Sequence, residues 1–296
     1  MHTVDVLIAG AGYVGAELAR QLAGAGHTVV AARRSPELLP ADLAQLGVKP
    51  LALDLLRPEA AQLPRAAAVV FAASPDTSTP EGYREAFGRG PARLLGERAR
   101  AGALPKRAVL VSSTGGFAES NGGWVDETSP SETDDPIQAE LVRAEAEFRA
   151  AADEHGVHAM IARLGGIYGP GRESLVDSVA AGTATYDPKR DGWSNRIHRD
   201  DAAAAIAHIL KLAAAADMYA IVDTEPARRR EVLTFIAELV GVPPPRAAVT
   251  VASNRGGGRG EKRVRCGRLL DSGFTFRYPT FREGYRALVA ARRGQA

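Results

Sequence analysis

Three glycines, a pair of arginines and a few hydroxyl and imidazole side chains are the residues of this chain that could do chemistry. Gly10, Gly12 and Gly15 form the pattern G-x-G-x-x-G, and each glycine meets a separate need of a chain that wraps a diphosphate. Gly10 permits a sharp turn, Gly12 lets the backbone approach a pyrophosphate, and Gly15 lets a helix lie close on a strand. Tyr13 and Val14, inside the turn, would add the first N–H groups of a helix whose positive end favours an anion. Glycine turns are common, so context decides. Here an apolar run at residues 6–9 precedes the turn, and a helical pattern and a second apolar run at 27–32 follow it. A strand, turn, helix and parallel strand within about thirty residues read as a dinucleotide site.

The second strand of that unit ends in Arg33 and Arg34 where an acid could stand. An Asp or Glu would accept hydrogen bonds from the ribose hydroxyls and repel a 2′-phosphate; an arginine offers donors that match the phosphate. The expectation is NADP(H) in preference to NAD(H), with Arg33 the main contact. A solvated strand end is the alternative in a chain this rich in arginine. Tyr168 follows a strand end where it could contact cofactor or substrate, or else pack in a loop. His198 lies in Arg196-Ile197-His198-Arg199-Asp200 just before a helix and could act as an acid or base near neutral pH.

The elements that would position these residues alternate in type. Strand patterns at 49–54, 66–73, 107–112, 157–164 and 219–223 interleave with helix patterns at 81–101 and from Pro136 to Gly156. The last of these opens with Asp135 as N-cap and Pro136 at its first position. The second half is more irregular, with helices expected at 172–181, 201–214, 231–240 and 281–291 and a mobile glycine-rich loop at 254–260. This is an α/β, doubly wound parallel sheet with a smaller lobe. The nucleotide domain is expected over 1–170 plus about 196–224, and the lobe over 171–195 plus 225–296. Trp124 and Trp193, in glycine-flanked segments, would fill a seam between them or line a substrate cleft.

With 296 residues, 45% of them apolar, the chain can bury one large core and a lesser one. A net charge of +2 without a basic, aromatic-interleaved run argues against nucleic acid or a membrane surface as partner. Cys266 is the single cysteine, so neither a disulfide framework nor a thiolate cluster is available. No histidine pair has metal-binding spacing, and no metal is expected. The first strand begins almost at once and no 18-residue apolar segment follows, which predicts a cytoplasmic protein acting on a small molecule.

Several segments, in order, resemble the extended short-chain dehydrogenase/reductases, the NAD-dependent epimerase/dehydratase-like proteins. They are the glycine turn, VLVSST (109–114), VDET (125–128), RLGGIYGPG (163–171), NRIHRDD (195–201) and RYPTFREGY (277–285). The resemblance covers nearly the whole chain and implies a Rossmann domain with an active site over the nicotinamide. It implies that Ser113, or its neighbour Thr114, hydrogen-bonds a substrate oxygen. It implies that Asp54, followed by Leu55, contacts the adenine, and that Ala72 and Ala73 let the backbone run beside the adenine ribose. In the wider family a histidine at the position of His198 more often braces the substrate lobe. Relatives often dimerise through two helices of the Rossmann domain. The alanine-rich faces of 81–101 and 137–152 would permit that homodimer, or pack internally.

The chain departs from the family at one place. Active members carry Tyr-x-x-x-Lys on the helix that begins here at Pro136, the tyrosine moving a proton while the lysine lowers its pKa. That helix, PIQAELVRAEAEF, has neither residue, and Ile137, Gln138 or Ala139 fills the tyrosine position. None of the seven tyrosines has a lysine four residues on. Two functions remain: an NAD(P)-dependent oxidoreductase or epimerase acting on a small hydroxyl or carbonyl metabolite or a sugar nucleotide, and a non-catalytic NADP(H)-binding redox sensor.

Overall fold

The computed structural model describes residues 3–59, 63–248 and 261–294; the glycine-rich stretch 254–260 lies outside them. The strands are β1 (Thr3–Ala9), β2 (Val29–Arg33), β3 (Lys49–Ala52), β4 (Arg65–Phe71), β5 (Arg107–Ser113), β6 (His158–Leu164), β7 (Gly166–Tyr168), β8 (Arg196–His198) and β9 (Met218–Ile221). Seven of these form one parallel sheet in the order β9-β6-β5-β4-β1-β2-β3. Val6 stands opposite Val29 on one side and Ala68 on the other. Leu7, Ile8, Val69, Val70 and Val109 are fully buried, as expected where helices cover both faces of a sheet. The order is that of the doubly wound Rossmann fold. The chain reverses direction across the sheet between β1 and β4, which opens a crevice at their carboxyl ends.

The helices that bear on the site are α1 (Tyr13–Gly24), α2 (Gly90–Arg100) and α3 (Pro136–Asp153). Asp135 caps α3 by accepting from the N–H groups of Ile137 and Gln138 at 3.0 and 2.8 Å. The helix expected at 81–101 is not continuous: Pro80–Tyr83 runs into a wider π turn at Arg84–Arg89 before α2 begins. Pro91 explains the break, having no N–H for the carbonyl four residues back and a ring that crowds it. Within that turn Gly88 lies against α3, where a Cβ would fall 3.2 Å from Ala144 Cα.

The chain divides into two compact units. The first comprises Met1–Ala118, Ser131–Arg163 and Ala203–Tyr219, and the second Glu119–Pro130, Leu164–Ala202 and Ala220–Ala296. Residues 119–130, 164–170, 196–202 and 220–224, assigned to the nucleotide domain from sequence, thus group with the smaller unit. Pairing is the reason. Trp124 and Val125 pair with Arg263 and Val264, and β7 pairs with β8. In the second unit guanidinium groups lie against both tryptophan rings. Arg228 and Arg263 lie 4.2 and 5.0 Å from the Trp193 ring, and Arg263 and Arg265 lie 4.9 and 4.8 Å from Trp124.

Candidate functional site

A cleft of about 270 Å³ opens at the carboxyl ends of β1, β2 and β4 in the first unit. Gly10, Gly12, Arg33, Arg34, Asp54, Leu55, Ala72 and Ala73 line it, joined by Ser35, Ser74 and Asp76. Gly10 has φ +91°, and a Cβ there would sit 2.5 Å from Ala73 Cα, so the turn and the loop after β4 close on each other only through glycine. Gly15 lies behind the turn, where a Cβ would come 3.1 Å from Ile8 Cγ2. Val14 is buried, and Tyr13 begins α1. Gly12 differs: the nearest protein atom to a Cβ there would be Gly10 O at 3.9 Å. The space above Gly12 belongs to the cleft.

This donor set suits a nicotinamide dinucleotide. Gly12 is the N-cap of α1, no side chain caps that helix, and its first turn has no acid, so an anion at the turn would meet the amides and the positive end of the dipole. Arg33 donates to Leu38 O at 3.4 Å. Arg34 donates from Nη1 and Nη2 to Asp76 Oδ2 and Oδ1 at 2.7 and 2.6 Å, and this hydrogen bonding holds the Asp76 carboxyl below the usual carboxylate range. Asp54 accepts from Leu56 N–H at 2.9 Å. Ser35 and Asp76 escape a reading of the sequence; the arginines beside Ser35 are the available clue, whereas Asp76 sits in a loop without a motif.

Ser113 ends β5, its Oγ accepting from Gly115 N–H at 3.1 Å. Thr114 starts the 3-10 turn Thr114–Gly116 that follows. The floor of this turn is an ion pair in the core: Arg163 Nη2 and Nε donate to Glu145 Oε2 and Oε1 at 2.7 and 3.0 Å. The two side chains are 1% and 2% exposed. Ser112 donates to Glu145 Oε1 at 2.5 Å, and both Arg163 Nη atoms lie 3.1 Å from Ser131 Oγ. The guanidinium also lies 4.5 Å from the Phe117 ring centroid and would be 2.7 Å from a Cβ on Gly116. On α3, Leu141 Cδ2 would lie 3.8 Å from a Cβ on Gly115. An apolar side chain thus borders the Ser113 turn.

Tyr168 and His198 sit in the second unit, and both are buried. Tyr168 stacks on Tyr285 at 4.4 Å, its hydroxyl buried against Gly284 without a hydrogen-bond partner among the described residues. Burial raises its pKa far above the ordinary tyrosine value. His198 is 3% exposed, and its Nδ1 accepts from Asp200 N–H at 3.2 Å. Burial pushes its pKa down to about 4, with Asp200 opposing the shift and Arg199 and Arg277 adding to it. The imidazole is therefore neutral at neutral pH.

That shift carries a stability prediction. Because the folded pKa lies below the unfolded one, the unfolded chain binds the proton first as pH falls from about 6.5 to about 4, and stability is lost across that window. His198→Asn, which keeps an acceptor near the Nδ1 position, is expected to remove about 3 kcal/mol of the difference between pH 7 and pH 4. Urea unfolding of both proteins at the two pH values checks it; equal acid losses would refute it.

Cys266 is buried, and burial lifts its thiol to about 11. Among the described residues no three His, Cys, Asp or Glu side chains gather as a metal site, and no helix is long and apolar enough to cross a membrane.

Comparison with known proteins identifies the family. A Streptomyces protein named 3-diazoavenalumate denitrifying reductase is 30% identical over 259 residues, 81% of this chain and 83% of its own. A candidate NAD-dependent epimerase/dehydratase from Methylobacillus flagellatus is 31% identical over 98% of this chain and 99% of its own, with a TM-score of 0.77. The UDP-glucose 4-epimerase of Thermus thermophilus, solved with NAD, is 22% identical over 100% of both chains with a TM-score of 0.79, and shares the fold. The profile of the NAD dependent epimerase/dehydratase family matches residues 6–221. That span holds the glycine turn, both arginines and the Ser113 turn, and the chain belongs to the NAD-dependent epimerase/dehydratase family.

Proposed function

We propose that the protein is an NADP(H)-dependent reductase of a small organic molecule whose acceptor atom takes hydride without a proton from α3. The observation that carries this reading is the cleft, with its open seat at Gly12 and with Arg33, Arg34 and Ser35 where a ribose-binding acid would otherwise end β2. A nicotinamide coenzyme bound there supplies hydride. Gly10 and Gly12 would hold its pyrophosphate, Arg33 its 2′-phosphate, and Asp54 with Leu55 its adenine end. The Ser113 Oγ already accepts from Gly115 N–H, which leaves its O–H to donate to a substrate heteroatom; Thr114 is the neighbouring donor.

Proton supply narrows the substrate. α3 contains no tyrosine and no lysine, and Leu141 borders the Ser113 turn. A carbonyl needs a proton as it takes hydride, whereas an acceptor that is already electron-poor and cationic does not. An aryl diazonium is such an acceptor. Its terminal nitrogen takes the hydride to give an aryl diazene, Ar–N=N–H; the N–H and carbon–nitrogen bonds then break, N₂ leaves, and that hydrogen passes as a proton to the ring carbon. The name of the Streptomyces relative, a reductase of a diazo compound, supports this class for the present chain over carbonyl metabolites and sugar nucleotides.

Fluorescence titration with NADPH and NADH, followed by 340 nm assays with aryl diazonium acids, carbonyl compounds and UDP-sugars, tests the reading. NADPH consumption above the enzyme-free rate is expected with the diazonium acids. Binding of neither coenzyme would defeat the proposal. Binding without turnover on any acceptor would favour the sensor, a reading that the apolar border of the Ser113 turn supports. Arg33→Ala is expected to weaken NADPH about tenfold more than NADH, the worth of a charge-assisted hydrogen bond. Equal losses would show that Arg33 does not read the 2′-phosphate.

A further inference from the structure

We propose that Asp76 sets coenzyme choice by holding Arg34 across the mouth of the nucleotide cleft. This rests on the cleft being the coenzyme site, as argued above. Both terminal nitrogens of Arg34 are taken by one carboxylate, at 2.7 and 2.6 Å, which is the paired geometry a phosphate would use. The two residues arrive from opposite sides of β1. Arg34 follows β2 and Asp76 lies on the loop after β4, the strands that flank β1. Both line the cleft alongside Gly10 and Gly12. The pair therefore spans the crevice at the end where the two arginines stand.

Their exposure makes the pair exchangeable. Arg34 and Asp76 are 64% and 65% exposed, and an ion pair so well solvated contributes little. A 2′-phosphate, with more charge and more acceptor oxygens than a carboxylate, can take Arg34 away from Asp76. It must then sit near a residual negative charge that repels it. A ribose without the phosphate meets the reverse situation. Dinucleotide sites selective for NAD place an acid at the end of β2 to accept from the ribose hydroxyls, and this chain has arginine there. Asp76 supplies that missing carboxylate from the β4 loop. NADH is thus received on Asp76, and NADPH binds by displacing Asp76 from Arg34.

Asp76→Asn is the direct test, since it keeps size and polarity and removes the charge at an exposed position. NADPH affinity is expected to rise about fivefold, and NADH affinity to fall about threefold, the range set by an exposed ion pair or a single hydrogen bond. The NADPH gain should shrink in an Arg34→Ala background, where only the relief of repulsion by the Asp76 charge is left and no guanidinium is released. Thermal melting without coenzyme should match the parent, so that the change reads binding and not folding. A coenzyme ratio that stays within about twofold of the parent, or a gain that is undiminished in Arg34→Ala, overturns the proposal alone. A parent protein that binds neither coenzyme overturns the cleft assignment as well.

Discussion

A Gly12→Ala protein is expected to fold as the parent does and to lose about a hundredfold in affinity for either nicotinamide coenzyme. The reason is the empty space beside this residue. Among the described residues, its own chain neighbours aside, a Cβ at Gly12 would meet no protein atom closer than 3.9 Å, so packing does not require glycine there. Only a ligand does. A methyl group at the seat of the pyrophosphate pushes it off the amides of the turn, and losing charge-assisted hydrogen bonds there costs about 3 kcal/mol, or roughly a hundredfold. Gly10→Ala makes the contrast. Its Cβ would strike the Ala73 backbone in a left-handed conformation, so that variant should lose thermal stability as well as binding. Melting curves and fluorescence titrations of the two variants separate the roles. A Gly12→Ala protein that binds NADPH normally would remove the diphosphate from this turn.

The second large effect concerns the floor under the Ser113 turn. Arg163→Ala should destabilise the protein by about 3–5 kcal/mol, because it strands the Glu145 carboxylate in the core. Glu145 and Arg163 are almost wholly buried, and Ser112 and Ser131 are tied to the pair. Replacing both partners by apolar residues of similar size, Arg163→Met with Glu145→Leu, should cost less than the single change, since no charge is then left alone. Urea denaturation of the three proteins measures the difference. A loss below about 1 kcal/mol for Arg163→Ala would mean that water or another cation reaches Glu145, and that the turn does not depend on the pair.

Local physics made part of this protein readable in advance. The unit β1–turn–α1–β2 was legible because everything that specifies it lies within one short stretch. The glycine spacing, the apolar runs and the helical period need no distant partner. The start of α3 was legible for the same reason, since an Asp N-cap and a proline at the first position act within a turn. The π turn at Arg84–Arg89 was not, although Pro91 is plain in the sequence, because the helical period around it is otherwise unbroken and Gly88 fits only against α3.

Pairing and burial were decided by the tertiary structure. Asp76 lies 42 residues from Arg34, and Glu145 lies 33 from Ser112 and 18 from Arg163, distances over which no periodicity or motif speaks. His198 and Tyr168 looked like chemistry because imidazole and phenol can move protons in water. Tyr278 and Tyr285, near the far end of the chain, pack against them. The sequence by itself determined the glycine turn and helix start that we propose hold a diphosphate, since a glycine's allowed backbone angles and a helix's first N–H groups are local properties. Which carboxylate holds which guanidinium, and which titratable groups keep contact with solvent, was left to the packing, because charge and pKa are set by whatever surrounds a side chain in space.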